Sequence, residues 1–432
     1  MIHTPLRIGG LLNVLRRDLA SFAGASGDGA KANVNLKPGG LRQNLLKQIA
    51  MLALATIWSW GATLGFAAAP GTSPNAGNDP STTSTSSSAS SSEPPVRKST
   101  AVHRTRRTRR APDPWGLSSY GNPAAEDNPA GEDPVVRQAA LDAIGKWNGS
   151  IVVVDPNSGR ILSMVNQKLA LSSGFTPCST IKPMVALAAL REGLITPSTK
   201  LYVGTKTRID LTDALAHSNN VFFHRLGEML GFKRITEYAQ EFGLGEKAGL
   251  DIPGESAGLY PSAPPKEGGV GFLAYCGTSI EVTALQMAAI LSAIANGGTL
   301  YALQYPRTAE ELISFQPVVR RRLEDLAKYF PQIRDGLAGS VLYGTGHSAY
   351  DPDLSIYGKT GTCSENGARL GWFASFAGGE QAKYVVVVLL RGGRMMYGPH
   401  AAEIAGHVYR ELEQKERTSQ VSRALSFTLD SK

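Results

Sequence analysis

The sequence predicts a mixed α/β fold, with one antiparallel sheet and a separate, mainly helical lobe. Three observations lead there. Two β-rich runs, GSIVVV and ILSMV, open the folded stretch near residue 150. Three more, LSIYGKTGTC, RLGWFASFAG and AKYVVVVLLRG, close it after residue 353. Between them, roughly residues 178–345 carry helical apolar periodicity broken by glycine-containing turns. Strands that flank a block of helices in sequence meet in space to bury their apolar faces, which leaves the helices as a second lobe. The junction between sheet and lobe is then the expected place for a site.

The chain ahead of this stretch is of another kind. Of the 432 residues, those up to about 133 are rich in Ser, Pro, Ala and Arg, and most of the formal net charge of +8 arises there. Residues 49–69, IAMLALATIWSWGATLGFAAA, carry no charge and are long enough to cross a bilayer as a helix. Arg42 and Lys47 just before them put residues 1–48 in the cytoplasm. The rival reading is a cleaved secretory signal, for which Gly65-Phe66-Ala67 offers a small-x-small site but the preceding segment is too long. Either reading exports everything after residue 70. The expected location is thus the inner (cytoplasmic) membrane, single-pass, with the folded domain in the extracytoplasmic space.

Residues 70–133 read as a disordered linker, because PSTTSTSSSASSSEPP cannot bury enough apolar surface to offset chain entropy. RKSTAVHRTRRTRR, residues 97–110, packs seven Lys and Arg side chains into a short run. It lacks the interleaved aromatics of a nucleic-acid-binding segment, so no nucleic-acid partner is expected. Attraction to anionic headgroups or wall polymers, or plain solvation, accounts for it.

The folded domain is placed at residues 134–415, with a tail at 416–432. PVVRQAALDAIGKW reads as a helix with Val136, Ala140 and Ile144 on one face. Asp155-Pro156-Asn157-Ser158-Gly159 joins the first two strands as a hairpin turn. The helical block follows, then the last three strands, then a final helix over about residues 399–414.

Chemistry enters at GFTPCSTIKPMVALAAL, residues 174–190. Ser179 is the only serine in the chain with a lysine three residues on, and i, i+3 positions share a helix face. An amine held in an apolar lobe loses pKa and can act as a base, and a neighbouring hydroxyl then becomes a nucleophile. Two further motifs follow in order: Ser218-Asn219-Asn220 at a break between helical patterns, and Gly358-Lys359-Thr360-Gly361-Thr362 on a strand. Ser-x-Asn alone is common, recurring at 73–75 and 364–366, and Ser218 could be an ordinary helix cap. The ordered set Ser-x-x-Lys, Ser-x-Asn, Lys-Thr-Gly is specific to acyl-serine chemistry on D-alanyl peptides and β-lactams.

With these motifs the sequence resembles the transpeptidase domain of penicillin-binding proteins, from about residue 135 to 413. DPNSGRILSMV, FGLGEKAGLDIPGESAGLYP, SIEVTALQMAAILSAIANGGTL and VLYGTGHSAY are similar to segments around the family's motifs. The resemblance implies a β-lactamase/transpeptidase-like fold with a five-stranded antiparallel sheet flanked by helices. It implies peptidoglycan stem peptides and β-lactams as ligands, and no metal or organic cofactor. Ser179 would attack the carbonyl between two D-alanines while Lys182 takes its proton. Ser218 and Asn220 would relay protons and position Lys182. Lys359 would attract the substrate carboxylate and help keep Lys182 neutral, and Thr360 and Thr362 would hydrogen-bond that carboxylate, with Gly361 between them. The N–H groups of Ser179 and Thr362 would form the oxyanion hole.

Some features depart from the family pattern. Cys178 stands where the family often has Gly, Cys363 follows the third motif, and Cys276 lies in a turn. Three cysteines cannot all pair within one chain, and a small buried hydrophobe is the role expected of each. The linker leaves no room for a second large module, so a separate glycan polymerase is the expected partner. Cross-linking of stems is the function expected. Hydrolysis, as a D,D-carboxypeptidase or β-lactamase, is the alternative, and non-catalytic muropeptide binding is disfavoured by the complete motif set.

Overall fold

The computed structural model describes residues 115–429 except 173 and 379–381. Residues 1–48, the apolar segment at 49–69 and the linker up to 114 lie outside the described residues. Among those described, no helix is long and apolar enough to cross a membrane.

Among the described residues nine strands form, in chain order. They are β1 Gly149–Val154, β2 Ile161–Val165, β3 Leu201–Tyr202, β4 Arg208–Ile209, β5 Thr299–Ala302, β6 Val318–Arg322, β7 Ile356–Glu365, β8 Ala368–Ala377 and β9 Tyr384–Gly392. Five of them make one antiparallel sheet in the order β2-β1-β9-β8-β7, built from the five runs read as strands in the sequence. The turn between β1 and β2 closes with the Gly159 N–H donating to the Asp155 carbonyl at 2.9 Å. Two small ribbons, β3-β4 and β5-β6, lie inside the stretch read as wholly helical. They are short and paired only with each other, so helical periodicity around them masks their signal.

Among the described residues the seven longer helices are α1 Pro134–Ile144, α2 Lys182–Arg191, α3 Asn220–Glu241, α4 Gly269–Cys276, α5 Ala284–Ala295, α6 Phe330–Leu342 and α7 Gly398–Leu429. α5 is buried at all twelve positions, opens with a reciprocal Thr283–Gln286 cap, and covers one face of the sheet. α1 and α7 cover the other face. β9 therefore sends Val385, Val387 and Leu389 into one core and Val386, Val388 and Leu390 into the other. Burial on both faces is why YVVVVLLRG reads as an unbroken apolar run; each such side chain contributes about 1.5–3 kcal/mol.

The domain starts earlier than residue 134. Tyr120 stacks on Trp147 with centroids 4.7 Å apart. The buried Asp127 carboxylate accepts from the Asn166 and Gln167 amides at 3.0 and 2.8 Å and pairs with Arg137 at 2.9 Å. Glu132 pairs with the same guanidinium at 3.0 Å and accepts from Ser163 Oγ at 2.8 Å. Residues 115–133 thus hold to the domain through charged groups, which a search for apolar periodicity overlooks. The boundary at 415 is also early. α7 runs on to Leu429, and Glu416 accepts from Tyr384 Oη at 2.7 Å and pairs with Lys383.

Candidate active site

Ser179 sits in a short 3-10 turn, Cys178–Ile181, that runs straight into α2, with Lys182 at the junction and Pro183 in the first helical turn. Pro183 fits there because its missing N–H is not needed at a helix start. The helix buries every residue from Lys182 to Leu190, which carries the amine into the lobe. Ser179 Oγ donates to the Tyr275 carbonyl, at the end of α4, over a long 3.5 Å.

Ser218 lies just before α3 with φ +54, a left-handed conformation uncommon for residues other than glycine. It does not cap the helix. Asn219 does, its side chain accepting from the Phe222 N–H at 2.9 Å. This leaves Ser218 and Asn220 to face Lys182. The amine lies 2.7 Å from the Ser218 carbonyl, 2.7 Å from Asn220 Oδ1 and 3.1 Å from Ser218 Oγ. The first two are pure acceptors and occupy the two N–H groups of a neutral amine, so its lone pair is left for a hydroxyl proton.

β7 is an edge strand of the sheet and presents its outer side to the Ser179 turn. Period-two alternation sets Lys359, Gly361 and Cys363 on one face of it. A side chain at Gly361 would stand 3.0 Å from the Pro177 carbonyl and 3.2 Å from Cys178 Cβ, so glycine is what permits the strand to approach the turn. Thr360 and Thr362 have other partners. Thr360 Oγ1 is 2.6 Å from Thr345 Oγ1, and Thr362 Oγ1 accepts from the Gly398 N–H at 2.8 Å.

Lys359 is fully buried and donates to the Thr360 carbonyl at 3.1 Å. Burial lowers Lys182 to about 7, opposed in part by Cys276. Burial, and then repulsion from Lys182, push Lys359 well below the usual lysine range. For Lys182 burial is the cause of the lowering.

Cys178 and Cys363 form a disulfide, with Cα atoms 5.7 Å apart, and Cys276 is free and partly buried. The expectation of three separate small hydrophobes thus holds for none of the pair; proximity of two segments 185 residues apart in sequence decides it. Sequence reasoning also missed Tyr275 and Thr345. Thr345 lies within VLYGTGHSAY, and its N–H donates to the Ala216 carbonyl at 3.1 Å, tying the Ser218 and Lys359 motifs together. Cavities of about 550, 1000 and 330 Å³ are lined by residues elsewhere, so the side-chain constellation, not cavity size, marks this site.

The sequence matches the family "Penicillin binding protein transpeptidase domain" over residues 149–410. It is 29% identical to stage V sporulation protein D of Bacillus subtilis over 304 residues, covering 60% of this chain and 46% of that protein. It is 28% identical to penicillin-binding protein PbpB of Mycobacterium tuberculosis over 313 residues, covering 59% and 45%. Against peptidoglycan D,D-transpeptidase FtsI of Escherichia coli the identity is 24% over 301 residues, covering 60% and 50%. The chain spans about half the length of the curated relatives it matches. Among solved structures it is similar in fold to the transpeptidase domain of Burkholderia pseudomallei penicillin-binding protein 3. That likeness has a TM-score of 0.57 at 20% identity and covers 67% of this chain and 97% of that one.

Proposed function

The chain belongs to the penicillin-binding protein transpeptidase family, and from that premise we propose that it cross-links peptidoglycan stems as a serine D,D-transpeptidase. The observation that carries the proposal is a buried Lys182 amine, brought to about 7 and held by Ser218 and Asn220 one turn from Ser179. A base of that pKa is neutral in useful amounts at physiological pH.

Ser179 Oγ attacks the carbonyl of the D-Ala-D-Ala amide, and its proton goes to Lys182. The resulting oxyanion is received by the N–H groups of Ser179 and Thr362, each worth about 3–4 kcal/mol in related chemistry. Collapse breaks the C–N bond, and the departing amine takes the proton from Lys182 by way of Ser218. An amine of a neighbouring stem then attacks the ester, gives up a proton along the same route and releases Ser179. Lys359, with Thr360 and Thr362, receives the terminal carboxylate. That anion favours the ammonium form of Lys359, and a charge there disfavours a second ammonium at Lys182. Binding and activation of the base are thereby linked.

Residues 49–69 anchor the domain outside the cytoplasmic membrane, and a separate polymerase supplies the glycan. The test is product analysis by mass spectrometry with a disaccharide-pentapeptide donor and a D-amino-acid acceptor. Amide-linked product that disappears in Ser179→Ala supports cross-linking. Hydrolysed tetrapeptide alone, or rapid turnover of penicillin, replaces it with a carboxypeptidase or β-lactamase.

A further inference from the structure

The disulfide stands at an unusual place. Cys178 immediately precedes Ser179, and Cys363 immediately follows Thr362. The two residues whose N–H groups receive the oxyanion in the proposed reaction are thus each one peptide away from the same covalent bond. We propose that the Cys178–Cys363 disulfide is a positioning element for catalysis, setting the separation of the two oxyanion donors, and that the enzyme reaches its full acylation rate only with this bond formed. The inference rests on the acyl-serine reading of the site.

Three features support it. First, the donors come from different parts of the fold: the Ser179 turn belongs to the helical lobe, whereas Thr362 lies on the edge strand of the sheet. No ladder hydrogen bonds fix such a pair, and oxyanion stabilisation depends on donors held in place before reaction. Second, Gly361 lets the strand come to van der Waals distance of the turn without pulling it there, since it offers no side chain. The disulfide supplies the pull on the same face of β7, one alternation further along. Third, Cys178 is fully buried at φ +50, a conformation a non-glycine residue keeps only where its surroundings over-determine it.

The fold has other ties nearby, so position and folding are separable. Glu365 Oε1 accepts from the Thr176 N–H at 3.1 Å and from Thr176 Oγ1 at 2.6 Å, and Trp372 Nε1 donates to the Thr176 carbonyl at 3.0 Å. These hold the chain three residues before Ser179 but leave the last step to the disulfide. Export to an oxidising compartment, expected from the N-terminal segment, is the setting in which such a bond forms and persists.

The experiment compares oxidised protein with protein treated with a dithiol reductant, which takes the two electrons of the S–S bond and leaves two thiols and its own cyclic disulfide. Stopped-flow acylation by a fluorescent penicillin separates the acylation rate constant from the affinity of the preceding non-covalent complex. The rate constant is expected to fall at least 10-fold on reduction, with that affinity changed less than about 3-fold, roughly what weakening one oxyanion donor does. Affinity for a boronic acid, whose tetrahedral adduct needs both donors, should fall in parallel. Reoxidation should restore both, and thiol titration in denaturant should change from one to three and back.

Cys178→Ala/Cys363→Ala should match the reduced enzyme and show no further response to reductant, which excludes Cys276 as the cause. Should that variant fail to fold, the reduced wild type, assayed below its own melting midpoint, decides alone. Equal acylation rate constants in the two redox states, or three titratable thiols in untreated protein, overturn the inference. Absence of any acylation in oxidised protein overturns the acyl-serine reading itself, and the inference with it.

Discussion

Asn220 Oδ1 and the Lys182 amine lie 2.7 Å apart across 38 residues of sequence, while the cap of the same helix is made one residue earlier by Asn219. Adjacent asparagines therefore do different work. One stops the helix backbone from wasting a donor, and the other meets the amine that serves as base in the proposed reaction.

Because Lys182 titrates near 7 and acts as base only when neutral, acylation should rise as pH increases through about 7 and then level off. Second-order rate constants for penicillin labelling between about pH 5.5 and 9 check this. A rate that is flat, or that falls with rising pH, contradicts Lys182 as the base.

Asn220→Asp places a carboxylate where a neutral acceptor now stands. An anion at 2.7 Å favours the ammonium, so the pH–rate profile should move upward by about 1–3 units. Its plateau need not collapse if Lys182 is deprotonated at high pH. An unshifted profile would separate Asn220 from the titration of Lys182.

Lys359 is pushed well below the usual lysine range by burial and by Lys182, and a carboxylate bound beside it favours its ammonium form. Lys359→Ala in a Ser179→Ala background should therefore weaken non-covalent binding of a β-lactam about 10-fold or more, as loss of a charge-assisted hydrogen bond does. Calorimetry measures that affinity. An unchanged affinity would remove Lys359 from the carboxylate site.

Asp127 tests where the domain begins. Asp127→Ala leaves Arg137 with one fewer partner and two backbone amides without an acceptor, and should lower stability by about 3–5 kcal/mol. Denaturant unfolding measures it. A change within about 0.5 kcal/mol would return residues 115–133 to the linker.

Placement of the chain is tested by fractionation. Protein anchored through residues 49–69 should remain with membranes after a high-salt wash. A soluble protein whose N-terminus lies near Ala68 would establish a cleaved signal instead.

The sequence by itself determined the five strands, the helical block and the three motifs, because each is a local pattern. Apolar runs mark strands buried on both faces, and within each motif the residues, Ser179 with Lys182 or Lys359 with Thr362, lie within three positions of one another in sequence. What only tertiary structure decided is everything that depends on two distant segments meeting. That Ser218 escapes capping and turns to Lys182 follows from where α3 starts relative to α2. That Cys178 bonds Cys363 follows from Gly361 letting an edge strand reach a helical turn. That Asp127 and Glu132 belong to the domain follows from Arg137 lying between them. Periodicity reports which face of an element is buried. It carries no information on which polar group waits on the other side, because that partner is chosen by the path of the chain through space.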